Sequence, residues 1–214
     1  MATLILVRHG QQVWPKGPNP QMSEWVDPPL SSIGLRQASV VAEALAGDHI
    51  DAVYSSHLQR AAETGRRIAA RHGIEPVVFE ELREIEMFRD LPAGKSIRDL
   101  VSRPFLLGMQ ERFVNERRWD VYPYTETSAE FDHRVVTTIE GILATHPAQT
   151  VVVACHGGVI NAYVGHILGL AVDMFFRPRH ASVSRVLAGE GRRVVLTLNE
   201  VHHLAASDPA LVTC

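Results

Sequence analysis

Apolar residues in this chain fall into two arrangements. Short unbroken runs lie within residues 2–7, 51–55, 76–79 and 150–155, the best of them being Leu4-Ile5-Leu6-Val7 and Val151-Val152-Val153-Ala154-Cys155. Their length and β-branched content predict strands buried on both faces. Between them the apolar positions return every three or four residues, as on one face of a helix. Leu35, Ala38, Val41, Ala42 and Leu45 mark one such face, on a helix that Ser31 or Ser32 can cap and that runs to Ala46 before Gly47. Further helices are predicted over 58–71, closed by Gly73, over 128–145 with Ser128 as cap, and over 159–168. Residues 181–187 and 192–198 alternate around Gly189-Glu190-Gly191, the pattern of a hairpin.

Strand and helix thus alternate, are interrupted by a stretch richer in charge, and resume. That order predicts an α/β fold, a three-layer α/β/α sandwich around a mostly parallel sheet. Residues 80–127 form a helical and irregular insert, with Pro92 and Pro104 as breaks and one helix near 96–114, placed to cap a site. A second irregular stretch, 15–29, carries Pro15, Pro18, Pro20, Pro28 and Pro29.

Chemistry enters at the strand ends. The first run leads into Arg8-His9-Gly10, and the fourth into His156-Gly157-Gly158. In an open α/β sheet, residues just beyond the carboxyl ends of strands face the ligand crevice. Ser55-Ser56-His57-Leu58-Gln59-Arg60 follows the second strand in the same way and brings Arg60 into the first turn of a helix. Glu80, Glu81, Glu84 and Glu86 follow the third. Two arginines can clamp a phosphoryl group, because the guanidinium fork matches its oxygens and stays charged. The same positive charge keeps a neighbouring imidazole neutral, with a lone pair for attack on phosphorus. His9 is the candidate nucleophile, His156 a donor to the phosphoryl oxygens, and one glutamic acid the proton donor to the leaving oxygen.

Composition narrows the class without choosing a function. The chain has 214 residues, 46% of them hydrophobic and 21% charged, which fits one large globular domain over residues 1–214. A net charge of −3 and the lack of a long basic run give no footprint for nucleic acid; Arg117-Arg118 beside Trp119 reads as a solvated face or the rim of a lid. No apolar stretch is long enough for a membrane span and no secretory leader pattern opens the chain, so a soluble cytoplasmic protein is expected. Two cysteines, Cys155 and Cys214, make no disulfide framework. The histidines outside the site, among them His49, His57, His72, His133, His166 and His180, are assigned to surface or core. His202 and His203, adjacent on a predicted strand, would point to opposite faces, so no metal site is expected there, and the chemistry calls for no cofactor.

These segments resemble the histidine phosphatase superfamily, of the phosphoglycerate-mutase-like fold, over nearly the whole chain. Arg8-His9-Gly10 is similar to its signature triplet. Pro29-Leu30-Ser31-Ser32-Ile33-Gly34-Leu35-Arg36-Gln37-Ala38, Ser55-Ser56-His57-Leu58-Gln59-Arg60-Ala61 and Cys155-His156-Gly157-Gly158-Val159 resemble three further segments. Leu82-Arg83-Glu84 resembles the segment that bears the acid, and Ala181-Ser182-Val183-Ser184 with Leu198-Asn199-Glu200 the closing strands. The resemblance implies that His9 becomes phosphorylated and that Arg8, Arg60 and His156, with Gln11 and Gly157, bind the phosphate. It implies Glu84 as the proton donor, with Glu86 as the alternative.

The chain also departs from the family pattern. Gln12 stands where a small hydroxyl is common and Pro15 where an asparagine touches phosphate. Ile85-Glu86-Met87-Phe88-Arg89-Asp90 replaces the usual glycine- and tryptophan-containing tail after the acid. The resemblance therefore implies a metal-independent phosphomonoester hydrolase acting on a small-molecule phosphate ester whose identity the sequence does not name. Trp14, Trp25, Met87, Phe88 and Trp119 are candidates for an apolar rim, for ordinary core or for a homodimer contact. The alternatives are a phosphoglycerate-type mutase and a catalytically silent protein that binds a phosphate ligand.

Overall fold

The computed structural model describes residues 1–15, 26–92, 95 and 97–214. Its centre is a six-stranded sheet built from β1 (Ala2–Arg8), β2 (Ala52–Ser56), β3 (Val77–Phe79), β4 (Thr150–Cys155), β5 (Val183–Gly189) and β6 (Arg192–Glu200), in the order β3-β2-β4-β1-β5-β6. The pairs β2–β3, β2–β4 and β1–β4 are parallel, and β5 and β6 add an antiparallel edge. The predicted sandwich with a mostly parallel sheet is therefore the observed fold.

Period-two alternation along β1 explains the three layers. Leu4 and Leu6 enter one core with Val151, Val153, Phe131, Ile139, Ile160 and Tyr163. Ile5 and Val7 enter the other with Val41, Leu45, Val53, Ile68, Val152 and Leu204. The first core is covered by α5 (Ser128–Thr145) and α6 (Gly157–Leu168), the second by α1 (Ser32–Ala44), α2 (Gln59–His72) and α7 (His202–Ser207). All four side chains of Leu4–Val7 are wholly buried, so a slip of one residue in register would exchange two complete cores.

Local signals set most helix ends. Ser31 caps α1 by accepting from the Gly34 N–H, and Gly73 ends α2 in the left-handed region at φ 65°. Other boundaries correct the sequence reading. The first helix stops at Ala44 with Leu45 as its C-cap, not Gly47. In the insert, two helices replace one: α3 (Ile97–Leu100) and α4 (Arg103–Glu116). Ser102 caps α4 and Pro104 lies in its first turn, where a missing N–H costs nothing, so that proline starts a helix instead of breaking one. Thr127, not Ser128, caps α5, in a reciprocal capping box with Glu130. His202 and His203 open α7 and do not lie on a strand. The predicted proline-rich loop falls largely on residues 16–25, outside the described residues.

Two glycines fix the loop after β1. A Cβ on Gly10 would meet the Gly34 carbonyl closer than 3.0 Å, and one on Gly34 would meet the Gln11 carbonyl likewise, so backbone abuts backbone here. By contrast, a Cβ on Gly47 would meet nothing within 4 Å. Gly34→Ala is expected to lower the unfolding temperature by an amount equivalent to about 1–3 kcal/mol, whereas Gly47→Ala should leave it unchanged or slightly higher. Parallel thermal melts of the two variants check this.

Candidate active site

The register of β1 on β4 assembles the site. Arg8 lies opposite Cys155, and the His9 N–H donates to the Cys155 carbonyl at 2.9 Å. The next residue on each strand is a histidine, so His9 and His156 emerge side by side, ring centroids 5.1 Å apart and both buried. The His9 Nδ1 makes a 2.7 Å bond to the Gly10 carbonyl. A carbonyl only accepts, so Nδ1 carries the proton and Nε2 keeps the lone pair.

Arg60 reaches His9 from the first turn of α2. Its Nε donates towards His9 Nε2 at 3.3 Å, and its Nη1 to the Val26 carbonyl at 3.1 Å. Asp27 fastens that turn by accepting from the Gln59 N–H at 2.7 Å. Thr64 joins α2 to the triplet, accepting from the Gly10 N–H and donating to the Arg60 carbonyl. Arg8 donates to the Pro178 carbonyl through Nη1, while its Nε is buried without a partner among the described residues.

Glu84 approaches from the far side, just after a 3-10 turn at Glu80–Leu82. Its Oε2 accepts from the Gly158 N–H at 3.0 Å in the first turn of α6, and its Oε1 from the Ile85 N–H at 3.0 Å. A Cβ on Gly158 would meet Glu84 Oε1 closer than 3.0 Å. Only glycine there lets the carboxylate touch the helix backbone. A Cβ on Gly157 would lie 3.8 Å from Arg8 Nε and 4.0 Å from Glu84 Oε2, which places those two side chains around one point. Glu86 is turned away, its Oε2 3.3 Å from Arg83 Nε.

Of the predicted site residues, Arg8, His9, Arg60, His156 and Glu84 thus converge, and Gly157 lies among them. Gln11 directly follows the triplet, and its Oε1 accepts from the Ser31 hydroxyl at 2.9 Å. Trp119 does not form a rim; it stacks on Phe113 at 4.7 Å and packs on the core beneath α5 and α6. Met87 and Phe88 lie in the turn after Glu84, Trp14 is exposed, and Trp25 lies outside the described residues.

One neighbour went unread in the sequence. His180 is buried with its ring 5.9 Å from that of His9. Its Nδ1 is bonded to the Thr213 hydroxyl at 2.8 Å and its Nε2 has no partner among the described residues. The only sequence signal was its place just before the strand that pairs with β1. Gln37 is a second unread support: it accepts from the Gln11 N–H and donates to the Leu211 carbonyl and the Thr213 hydroxyl, which ties the triplet to the last turn of the chain.

Electrostatics follow from this burial. Desolvation, with His156, Arg60 and Arg8 adding repulsion, holds the His9 pKa well below the ordinary value, against the opposing bond to Gly10. Desolvation, then Arg60 and Arg8, does the same to His156. Burial pushes His180 down to about 3. Desolvation also lowers Arg8 and Arg60, and Glu84 offsets part of that cost at both. Among the described residues, both ring nitrogens of His156, Arg8 Nε and His180 Nε2 are buried without a hydrogen-bond partner. Such groups are costly to leave unsatisfied. A tetrahedral anion rich in acceptors would satisfy several of them at once.

The three neutral imidazoles make stability depend on pH with a defined sign. Each is protonated in the unfolded chain below about pH 6.5 but stays neutral when folded, so the unfolded state binds more protons there. Stability is therefore complete above about pH 6.5 and is lost on acidification, by up to about 1.4 kcal/mol per pH unit for each such histidine. Urea unfolding of wild type and His156→Gln between pH 7 and 5 should show a shallower acid slope in the variant.

Comparison with known proteins agrees with this geometry. The model of the histidine phosphatase superfamily (branch 1) matches residues 4–201. Phosphoserine phosphatase 1 of Hydrogenobacter thermophilus is 32% identical over 212 residues, 95% of each chain. A probable phosphoglycerate mutase of Yersinia enterocolitica is 28% identical over 188 residues, 87% of this chain and 85% of its own. Among solved structures, YhfR of Bacillus stearothermophilus superposes with a TM-score of 0.76 at 24% identity, covering 95% of this chain and all 100% of its own. The chain therefore belongs to branch 1 of the histidine phosphatase superfamily.

Proposed function

We propose that the protein hydrolyses small-molecule phosphate monoesters through a phosphohistidine at His9. The observation that carries this is a buried imidazole whose Nε2 lone pair meets the Arg60 guanidinium at 3.3 Å, with Arg8 within electrostatic reach. In the first step His9 Nε2 attacks phosphorus and the ester P–O bond breaks. Glu84 gives its proton to the departing oxygen. The Nδ1–H bond to Gly10 spreads the positive charge that the ring acquires, and Arg8, Arg60 and His156 hold the non-bridging oxygens. In the second step Glu84 takes a proton from water as its oxygen attacks phosphorus. The P–N bond breaks, His9 returns to the neutral tautomer, and phosphate leaves. Cationic side chains supply the charge neutralisation, so the reading includes no metal and no cofactor.

Glu84 is favoured over Glu86 because it touches the first turn of α6 beside His156, whereas Glu86 pairs with Arg83. Gln11 acts on phosphate only through the loop it ties to Ser31, and Gly157 acts through its backbone. The insert, 80–127, serves as a cap within one domain spanning 1–214. Hydrolysis is favoured over a mutase reaction by the modest size of that insert and by the phosphatase relative, whose coverage of both chains is higher. A catalytically silent binder is disfavoured because every chemical position is filled. Phosphoserine, the substrate named for that relative, heads the compounds to screen. No described helix is long and apolar enough to cross a membrane. The reduced cysteines, one buried and one exposed, fit a cytoplasmic setting. A homodimer is part of the reading and nucleic acid is not.

The test is hydrolysis of p-nitrophenyl phosphate with and without EDTA. Wild type should turn over equally in both, and His9→Ala should lose essentially all activity; an EDTA-sensitive rate, or turnover retained by His9→Ala, would overturn the mechanism. Glu84→Gln should lose about 10²–10⁴-fold in kcat/KM on an alkyl phosphate but much less on p-nitrophenyl phosphate, whose leaving group needs no proton. With 3-phosphoglycerate as substrate, release of phosphate without formation of 2-phosphoglycerate marks a phosphatase, and the isomer marks a mutase.

A further inference from the structure

Glu84 sits on an irregular segment, yet a general acid must be held to a fraction of an ångström. The structure shows what holds it. Arg134, on α5, donates through Nη1 to the carbonyls of Glu81 and Arg83, the latter at 3.2 Å. One guanidinium nitrogen thereby grips the backbone just before Glu84. The other two nitrogens form a fork on Glu126: Nε to Oε1 at 2.8 Å and Nη2 to Oε2 at 2.7 Å. Glu126 is almost wholly buried, immediately before the Thr127 cap of α5. Arg83 adds a further contact, its Nη2 3.7 Å from Glu126 Oε1.

The grip is referred to the other half of the site through packing. The Arg134 guanidinium lies over the Phe131 ring, 5.0 Å from its centroid. The edge of that ring lies 3.3 Å from the position of a Cβ on Gly158, the residue whose N–H holds the Glu84 carboxylate. Phe131 and Val159 belong to one buried core, and His156 caps the helix that starts there. A single rigid path therefore runs from Glu126 through Arg134 to the backbone at Glu84, and through Phe131 to Gly158. Four of the five N–H donors of Arg134, spread over all three nitrogens, are used on four oxygens, a geometry that an ammonium could not reproduce.

We infer that the buried Glu126–Arg134 fork is a positioning device for the acid, fixing the height of Glu84 over the His9–His156 pair. Neither residue contacts the reacting atoms, and both act through Glu84. The inference rests on Glu84 being the proton donor, so its test must separate the two ideas. A merely structural role would slow every substrate alike. A role through Glu84 would slow only those whose leaving oxygen needs a proton.

The experiment measures kcat/KM, which reports the steps up to departure of the leaving group, on p-nitrophenyl phosphate and on a simple alkyl phosphate. The variants are Arg134→Lys, Glu126→Gln, Glu84→Gln and the double variant Arg134→Lys/Glu84→Gln. Arg134→Lys should lose at least about 10-fold on the alkyl ester and less than about 3-fold on the nitrophenyl ester, within the range that general acids supply. Added to Glu84→Gln it should cost nothing further, since residues acting through one group are not additive. Glu126→Gln keeps the shape and weakens the fork, so it should show the same selectivity to a smaller degree, and it carries the test if Arg134→Lys fails to fold. Equal losses on both esters, or additive losses in the double variant, overturn the positioning role. If Glu84→Gln itself shows no selectivity, the assignment of the acid falls, and this inference with it.

Discussion

Everything at the site depends on the pairing of β1 with β4. Parallel neighbours keep their carboxyl ends together, and the register Arg8 opposite Cys155 makes the next residue on each strand a histidine. Neither histidine needs a special conformation to reach the other; both follow from where the strands stop. The same pairing is fixed by the burial of Leu4–Val7 on both faces of the sheet. Core packing and catalytic geometry are thus one constraint, and a sequence that satisfies the first supplies the second.

That arrangement stores unfavourable electrostatics at the strand ends. A half-buried Arg8, a buried Arg60 and two buried imidazoles lie within electrostatic reach of one another, and Glu84 is the largest compensating charge at both arginines. Around them lies a second layer that contacts no substrate: Asp27 on the start of α2, Gln37 on the triplet and the chain end, Glu126 and Arg134 on the acid segment. These supports are drawn from loops and helices on different sides of the sheet, which is why the site keeps its shape although only Arg8, His9 and His156 stand at the ends of core strands.

The sequence made part of this legible, and the division is physical. Strands read well because β1 and β4 are continuous apolar runs, and α1 and α2 because a serine and a glycine mark their ends. The insert read poorly. Pro104 looks like a break unless one sees that Ser102 places it in a first turn, and Arg103–Glu116 has only Met109 buried to mark a face. Arg8, His9, Arg60 and His156 were visible because short motifs follow predicted strands. His180 and Arg134 were not, because nothing local distinguishes them: each matters through a partner far along the chain, Thr213 for one and Glu81 and Arg83 for the other. Hydrophobic periodicity records which face of an element is buried, and it carries no record of where a long polar side chain ends.

The depressed basicity of His9 has a kinetic meaning. On the proposed mechanism, a His9 held well below the ordinary imidazole range would stay neutral, and able to attack, in mild acid. The phosphate monoester itself changes charge near pH 6, and the two proposed arginine ligands would favour the more highly charged form. The acid side of the activity profile would then record the ionisation of the substrate, so it would move with the ester used and would be a property of the ligand written onto the enzyme.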